Sequence, residues 1–266
     1  MDASTKVPFA DPLSYSRGPS PYYKASHYKL AKVTREYVDT HISPYCDEWE
    51  RTGKVPAEAI ARHAAEGFMA ASVHPMARDC LHGQRLPADI PASEWDSFHD
   101  LIIIDEIARC GYLGTIWGLA CGNNIGAPPV VNFGTNEQKQ RFIPNVLNGK
   151  SRFCLGVTEP DGKSLSSAGL FTITTNGSLA GSDVAGITTT ATRKGDVYVV
   201  NGAKKWITNG SFADYCTAAV RTGGPGRLGV SALVIPMKTK GVTCRSIENS
   251  GVKSSGMHCT PGVRRI

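Results

Sequence analysis

The chain has 266 residues, 41% hydrophobic and 20% charged, with a formal net charge of +6. That is the composition of a soluble globular protein with room for one large domain or two ordinary ones. Its basic residues are scattered, with only pairs such as Lys204-Lys205 and Arg264-Arg265, and no apolar run is of membrane-spanning length, so neither a nucleic-acid partner nor a membrane span is expected.

Residues 1–25 are rich in proline and read as an extended segment. MDASTKVPFADP has neither the apolar core of a secretion signal nor the Arg-rich helix of a mitochondrial presequence. The closing Val-Arg-Arg-Ile is not a peroxisomal address. The expectation is an intracellular protein, cytoplasmic or organellar, with peroxisome and mitochondrion both open. The eight cysteines form no Cys-x-x-Cys pair and read as reduced, mostly buried thiols. His74, Cys80 and His82 match no zinc spacing, and no metal ligands are assigned.

From Ser26 the apolar residues Tyr28, Leu30, Val33, Tyr37 and Val38 recur at helical spacing, and Tyr45 to Arg51 continues beyond Ser43-Pro44. Pro56 opens a second helix running to Val73. After a proline-rich loop, Ser93 is the expected cap of a third helix, with Glu94 and Asp96 in its first turn. That helix is apolar over most of its circumference and is expected to be central, with Asp105-Glu106 on its surface. Tyr112 to Ala120 is a further apolar helix. Thr135 and Gln138 form a capping box opening a helix over 136–147, which Asn148-Gly149 closes.

Past Gly149 the chain changes character. Phe153 to Val157, Val197 to Val200, Lys205 to Thr208, Tyr215 to Val220, Val230 to Ile235 and Val242 to Ser246 read as short strands. Lys194-Gly-Asp, Asn201-Gly202, Asn209-Gly210 and Gly223-Gly-Pro-Gly226 read as turns. The last has no following helix and no Lys-Ser/Thr, so it is a hairpin and not a phosphate loop. The fold class is α+β: an all-α domain over 26–150, then an antiparallel β-barrel-like domain over 151–256, and a tail over 257–266. Helices followed by strands, without βαβ alternation, argue against a Rossmann unit.

Three blocks in the β region carry the specific signal: Leu155-Gly-Val-Thr-Glu-Pro160, Gly181-Ser-Asp-Val-Ala-Gly186 and Asn201-Gly-Ala-Lys-Lys-Trp-Ile-Thr-Asn-Gly210. In this order, after a helical domain that ends in Phe133-Gly-Thr-Asn-Glu-Gln-Lys-Gln-Arg-Phe142, they closely resemble the acyl-CoA dehydrogenase family over roughly Ser26 to Gly256. Each block alone reads otherwise: Trp206 as a core tryptophan, Thr158 and Thr208 as strand threonines, Ser182-Asp183 as a turn. The resemblance implies FAD as cofactor. Thr158 and the backbone from Leu155 to Val157 would hydrogen-bond the flavin ring, Trp206 would pack against it, and Thr208 would bond near its reactive edge. Ser182 would lie in the region that takes the FAD pyrophosphate and the pantetheine of the substrate. It also implies an acyl-CoA substrate dehydrogenated at its α,β bond, an electron-accepting flavoprotein as partner, and, at full length, a homo-oligomer. An acyl-CoA oxidase, passing electrons to oxygen, is the nearest alternative. Glu159 reads as structural.

Two departures stand out. Thr158-Glu-Pro-Asp161 and Ala180-Gly-Ser-Asp-Val-Ala-Gly186 are one uninterrupted motif in the family, but 162–179 separates them here. Gly162-Lys163 can be encoded with a splice donor GTAAG and Leu179-Ala180 with an acceptor TAG, so the segment is read as an unspliced intron translated in frame. A hairpin loop turning at Asn176-Gly177 is the alternative. After Gly251-Val-Lys-Ser-Ser-Gly256 the residues no longer align with the family, whose C-terminal helical domain usually holds the catalytic glutamate. No catalytic residue is therefore named, and the expectation is an impaired enzyme, or a non-enzymatic fragment that binds acyl-CoA or intact subunits.

Overall fold

The computed structural model describes residues 20–73, 81, 83–160, 182–249, 251–253 and 260–261. The segment read as an intron, the 257–259 and 262–266 parts of the tail, and His74, Cys80 and His82 lie outside them.

The helical half begins with α1 (Ala25–His41) and α2 (Cys46–Thr52), joined by a 3-10 turn over Ser43–Tyr45. The single helix expected over 56–73 is two, α3 (Ala57–Ala65) and α4 (Phe68–Ser72). Gly67 divides them at φ +82, and a β-carbon there would meet the Arg85 carbonyl oxygen at 2.6 Å. A left-handed residue that also admits the neighbouring backbone must be glycine.

Helix α5 (Ser97–Ala108) is capped by Asp96, not Ser93; the Asp96 side chain accepts from Phe98 N. Histidines stand where a capping box usually has Glu or Gln. Lys24 N donates to His27 Nδ1 (2.8 Å) at the start of α1, and Asp96 N donates to His99 Nδ1 (3.0 Å) at the start of α5. With Nδ1 accepting, the His27 Nε2–H is left to donate to Asp96 Oδ1 (2.8 Å), tying the two helix starts together. The α5 helix is not central all round: Ile102, Ile103 and Ile107 are buried, but Leu101 is exposed and Ile104 is 64% exposed. Glu106 is fully buried, correcting its reading as surface; Arg35 Nε and Nη2 each donate to it at 2.9 Å.

Next come α6 (Leu113–Ile116), a π-helical turn (Trp117–Cys121), α7 (Gly122–Gly126), α8 (Pro128–Phe133) and α9 (Asn136–Leu147). Helix α9 has the expected capping box: Gln138 N donates to Thr135 Oγ1 (3.2 Å) and Thr135 N to Gln138 Oε1 (2.9 Å).

The strands are β1 (Phe153–Gly156), β2 (Thr190–Lys194), β3 (Val197–Asn201), β4 (Tyr215–Arg221), β5 (Val230–Pro236), β6 (Val242–Thr243) and β7 (Thr260–Pro261). The helices-then-strands order is as expected. The sheet itself is mixed, not antiparallel, and among the described residues it does not close into a barrel. Strand β4 runs parallel to β1 and to the first residue of β2, and antiparallel to β5. The reason is a shared starting point. Asp214 N donates to Arg152 O (2.9 Å) and Arg152 N to Asp214 Oδ2 (3.1 Å), so β1 and β4 leave one clamp in the same direction. The Lys194-Gly-Asp and Gly223 to Gly226 turns do join antiparallel pairs, β2–β3 and β4–β5. Strand β2 was not expected, because its TATRK sequence lacks an apolar alternation.

Consecutive residues of β1 serve different cores, since strand side chains alternate between faces. Phe153 belongs to the cluster shared with the helices, and Cys154 to the sheet cluster of Val200, Ile207, Cys216, Val220 and Ile235. Cys46, Cys110, Cys121, Cys154 and Cys216 are free thiols, but Cys244 is disulfide-bonded, correcting the all-reduced expectation. Among the described residues no helix is long and apolar enough to cross a membrane.

Candidate functional site

Three segments meet just past the end of β1, and a buried ion pair holds them. Lys205 N donates to Thr158 O (2.9 Å), laying the residues after β1 against those after β3. Lys204 Nζ donates to Val157 O (3.0 Å) and to Glu159 Oε1 (2.8 Å). From the third segment, Thr188 N (2.8 Å), Thr188 Oγ1 (2.5 Å) and Thr189 N (2.9 Å) donate to the same carboxylate. Glu159 is 3% and Lys204 1% exposed. Burial pushes the Glu159 carboxyl up, but the bonds from Lys204, Thr188 and Thr189 outweigh it and hold the pKa at about 2. Burial lowers the Lys204 pKa, which the bond to Glu159 opposes. Both carboxylate oxygens are spent on these partners, so Glu159 is an organiser and not a general base.

The pair also shapes the following turn. Lys205 to Thr208 is not a strand: Trp206 and Asn209 adopt left-handed backbones, at φ +63 and +62. For residues other than glycine this costs of order 1–3 kcal/mol each, and such strain clusters at functional sites. Trp206 is not a core tryptophan. It is 47% exposed, with Lys205 Nζ 4.9 Å from its ring centroid. Asn209 is buried, and its Nδ2 donates to Trp117 O in the π-helical turn (2.8 Å). That turn comes close because of Gly122, where a β-carbon would meet Phe153 O at 2.4 Å and Asn209 Nδ2 at 2.8 Å. Phe153 N donates to Asn123 Oδ1 (2.7 Å) and Thr217 Oγ1 to Gly126 O (2.6 Å), completing the seam between helices and sheet.

The structure brings most of the sequence-derived candidates together. Leu155, Val157 and Thr158 lie half-buried in one run, opposite Lys204 and Lys205 and next to the Trp206–Thr208 turn. The hydroxyls of Thr158 and Thr208 are half-buried without a hydrogen-bond partner among the described residues. Ser182 is exposed and is not tied to this group by any described hydrogen bond. Its segment is anchored further on, where Arg221 Nη2 donates to Ala185 O (2.7 Å) and Nε to Ile187 O (2.9 Å). Sequence reasoning missed Lys204 as the partner of Glu159, and Asn209 as the link to the helices. The Asn-Gly pair at 209–210 was the available signal, because Asn tolerates a left-handed backbone.

Comparison with known proteins agrees with this architecture. The family model for the acyl-CoA dehydrogenase N-terminal domain matches residues 24–150, and that for the middle domain matches 171–260. An acyl-CoA dehydrogenase of Alternaria alternata is 49% identical over 251 residues, covering 94% of this chain and 54% of that protein. One of Emericella nidulans is 40% identical over 263 residues, covering 96% and 56%. The chain thus spans about half the length of the curated relatives it matches. The crystal structure of a probable acyl-CoA dehydrogenase from Mycobacterium abscessus superposes with a TM-score of 0.73 at 30% identity, covering 91% of this chain and 57% of that one.

Proposed function

The chain belongs to the acyl-CoA dehydrogenase family, and on that premise we propose that it binds FAD and contributes to α,β-dehydrogenation of an acyl-CoA thioester. The supporting observation is the convergence of two motif blocks, 155–160 and 201–210, and of Thr188-Thr189 on the Glu159–Lys204 pair, which leaves a half-exposed Trp206 beside the unpartnered hydroxyls of Thr158 and Thr208. An aromatic wall next to unspent donors suits a planar ring with polar edges.

When bound, the flavin would supply the hydride-accepting redox chemistry. The chain's own residues bind and orient it. The backbone of Leu155 to Val157 and the hydroxyls of Thr158 and Thr208 hydrogen-bond its edges, stabilising charge on the reduced ring. Trp206 packs against its face and excludes water. Ser182, small and exposed, admits the FAD pyrophosphate and the pantetheine of the substrate. The helical unit is 26–150 and the sheet unit 151–256. No catalytic base is assigned within this chain. Electrons would pass to an electron-accepting flavoprotein or to oxygen, and the working form would be a homo-oligomer.

The test is the visible spectrum of the purified chain with FAD. Stoichiometric binding that Trp206→Ala weakens about tenfold or more supports the reading. A chain that folds by circular dichroism but leaves FAD free at millimolar concentration overturns it. Anaerobic bleaching by acyl-CoA marks the chain as competent for the reaction, and hydrogen peroxide in air marks the oxidase form. FAD bound without bleaching marks a binding fragment.

A further inference from the structure

Two pairs of thiols face each other inside the molecule. Cys154 and Cys216 lie directly opposite on the parallel strands β1 and β4 and share the sheet core. Cys46, the first residue of α2, hydrogen-bonds to Cys110, which stands just past the end of α5.

The second meeting is held from several sides. The Tyr112 hydroxyl donates to the Asp47 carboxylate, so the neighbouring residues of the two segments are joined as well. The Cys46 S–H has two acceptors in reach, Ile42 O at 3.3 Å and the Cys110 sulfur. The Thr115 hydroxyl in α6 is fully buried, faces the Cys46 sulfur, and has no other hydrogen-bond partner among the described residues. It is placed to donate to that sulfur when the proton leaves.

The pairs differ in what a reagent from solvent would meet. Cys154 is wholly buried, and its bond with Cys216, together with burial, pushes its thiol far up. Cys110 is 9% exposed and lies one layer beneath the exposed Asp47. The hydrogen bond from Cys46 holds the Cys110 thiol down to about 7, against the effect of burial. The same bond, joined by burial, pushes the Cys46 thiol up. One sulfur therefore ionises near neutral pH while its neighbour keeps its proton, which is the division between an attacking and a resolving thiol.

We propose that Cys46 and Cys110 form a peroxide-reactive dithiol, a modification site that closes to a disulfide between α2 and the end of α5. The Cys110 thiolate attacks one oxygen of hydrogen peroxide, the O–O bond breaks, and the departing hydroxide takes up a proton as water. Cys110 is left as a sulfenic acid, oxidised by two electrons. The Cys46 sulfur then attacks the Cys110 sulfur; the S–S bond forms, the S–O bond breaks, and hydroxide leaves with the Cys46 proton as a second water. In sum, two thiols and one peroxide give one disulfide and two waters. None of the residues proposed to hold FAD takes part, so the inference does not rest on the flavin reading.

The test treats the reduced full chain with a small excess of hydrogen peroxide, alkylates the remaining thiols, and maps the cysteine peptides by mass spectrometry without reduction. The expected product is a Cys46–Cys110 cross-linked peptide that dithiothreitol cleaves, with Cys154 and Cys216 recovered as alkylated thiols. Cys46→Ser should abolish the cross-link and leave Cys110 as a sulfenic acid that dimedone captures. Should that buried hydroxyl unfold the chain, Cys46→Ala serves instead. Cys110→Ser should leave Cys46 unlabelled. Both thiols still free to alkylate, Cys110 carried on to sulfinic acid without a cross-link, or a Cys154–Cys216 cross-link formed first would each overturn the site. Dimedone capture at Cys46 in Cys110→Ser, with none at Cys110 in the Cys46 variants, overturns Cys110 as the attacking thiol.

Discussion

Two buried glutamates, Glu106 in the helical half and Glu159 in the sheet half, solve the same problem differently. Each carboxylate is 3% exposed or less and is paired with a cation. Glu106 meets Arg35 in a two-bond fork, and Arg109 Nη1 adds a third bond at 3.2 Å; both arginine side chains remain 31% exposed. Glu159 meets Lys204, which is as buried as itself, so neither charge reaches water. Pairing with half-solvated arginines fastens two helices at modest cost. Pairing two wholly buried charges is safe only when every lone pair is satisfied, and Thr188 and Thr189 complete that set. The first arrangement holds helices in register, and the second fixes the shape of a binding loop.

The largest effect should come from breaking the sheet pair. Lys204→Met strands a buried carboxylate and should cost about 3–5 kcal/mol in urea unfolding. The double change Glu159→Gln/Lys204→Met should recover much of that loss. A single variant within about 1 kcal/mol of the unaltered chain would refute the contrast.

Next in size is Arg35→Met, expected to cost about 1.5–3 kcal/mol, because Arg109 and solvent still serve Glu106. A loss as large as that of Lys204→Met would show the two pairs to be equivalent.

Acid titration tests the Glu159 pair further. The folded Glu159 pKa of about 2 lies below its unfolded value of about 4.3, so its stabilisation is complete above the unfolded value and is lost as pH falls towards 2. His63, lowered by burial to about 3 from an unfolded value near 6.5, is protonated first in the unfolded chain, so stability also declines from about pH 6.5 downwards. In melting temperature against pH, Lys204→Met should flatten the lower limb and leave the upper one. A variant profile parallel to the original throughout would count against the assignment.

The smallest expected effect is Thr135→Ala, which removes a solvent-facing cap remote from either pair. It should cost about 1 kcal/mol in the same urea titration, and no measurable loss would mean that α9 is held by its packing alone.

How much of this was legible before folding depended on how far each interaction reaches along the chain. The α9 capping box spans three residues, and it was read correctly from Thr135 and Gln138. The β4–β5 hairpin was signalled by its glycine turn, and the Lys194-Gly-Asp turn was read too, although strand β2 before it was not. The cap of α5 went to Asp96 instead of Ser93 because the His27 imidazole on a distant helix also binds that carboxylate. Exposure of Leu101 and Ile104 was illegible, since periodicity shows that a helix is apolar and not what covers it. The candidate site was readable as a set of residue types, but the left-handed turn at Trp206 was hidden by a stretch with ordinary strand propensity.

The sequence by itself therefore determined the order of helices and strands, most turns, the cap of α9, and the motif set that marks the family. Only the tertiary structure decided that Glu159 belongs to Lys204, Glu106 to Arg35, and His63 to Tyr37. It alone made the sheet mixed and split β1 between two cores at Phe153 and Cys154. The physical reason is range. Caps and turns are settled by hydrogen bonds within a few residues, whereas the Glu159–Lys204 and Arg35–Glu106 pairs close over separations of 45 and 71 residues. Which charges meet at that distance depends on the path of the whole chain.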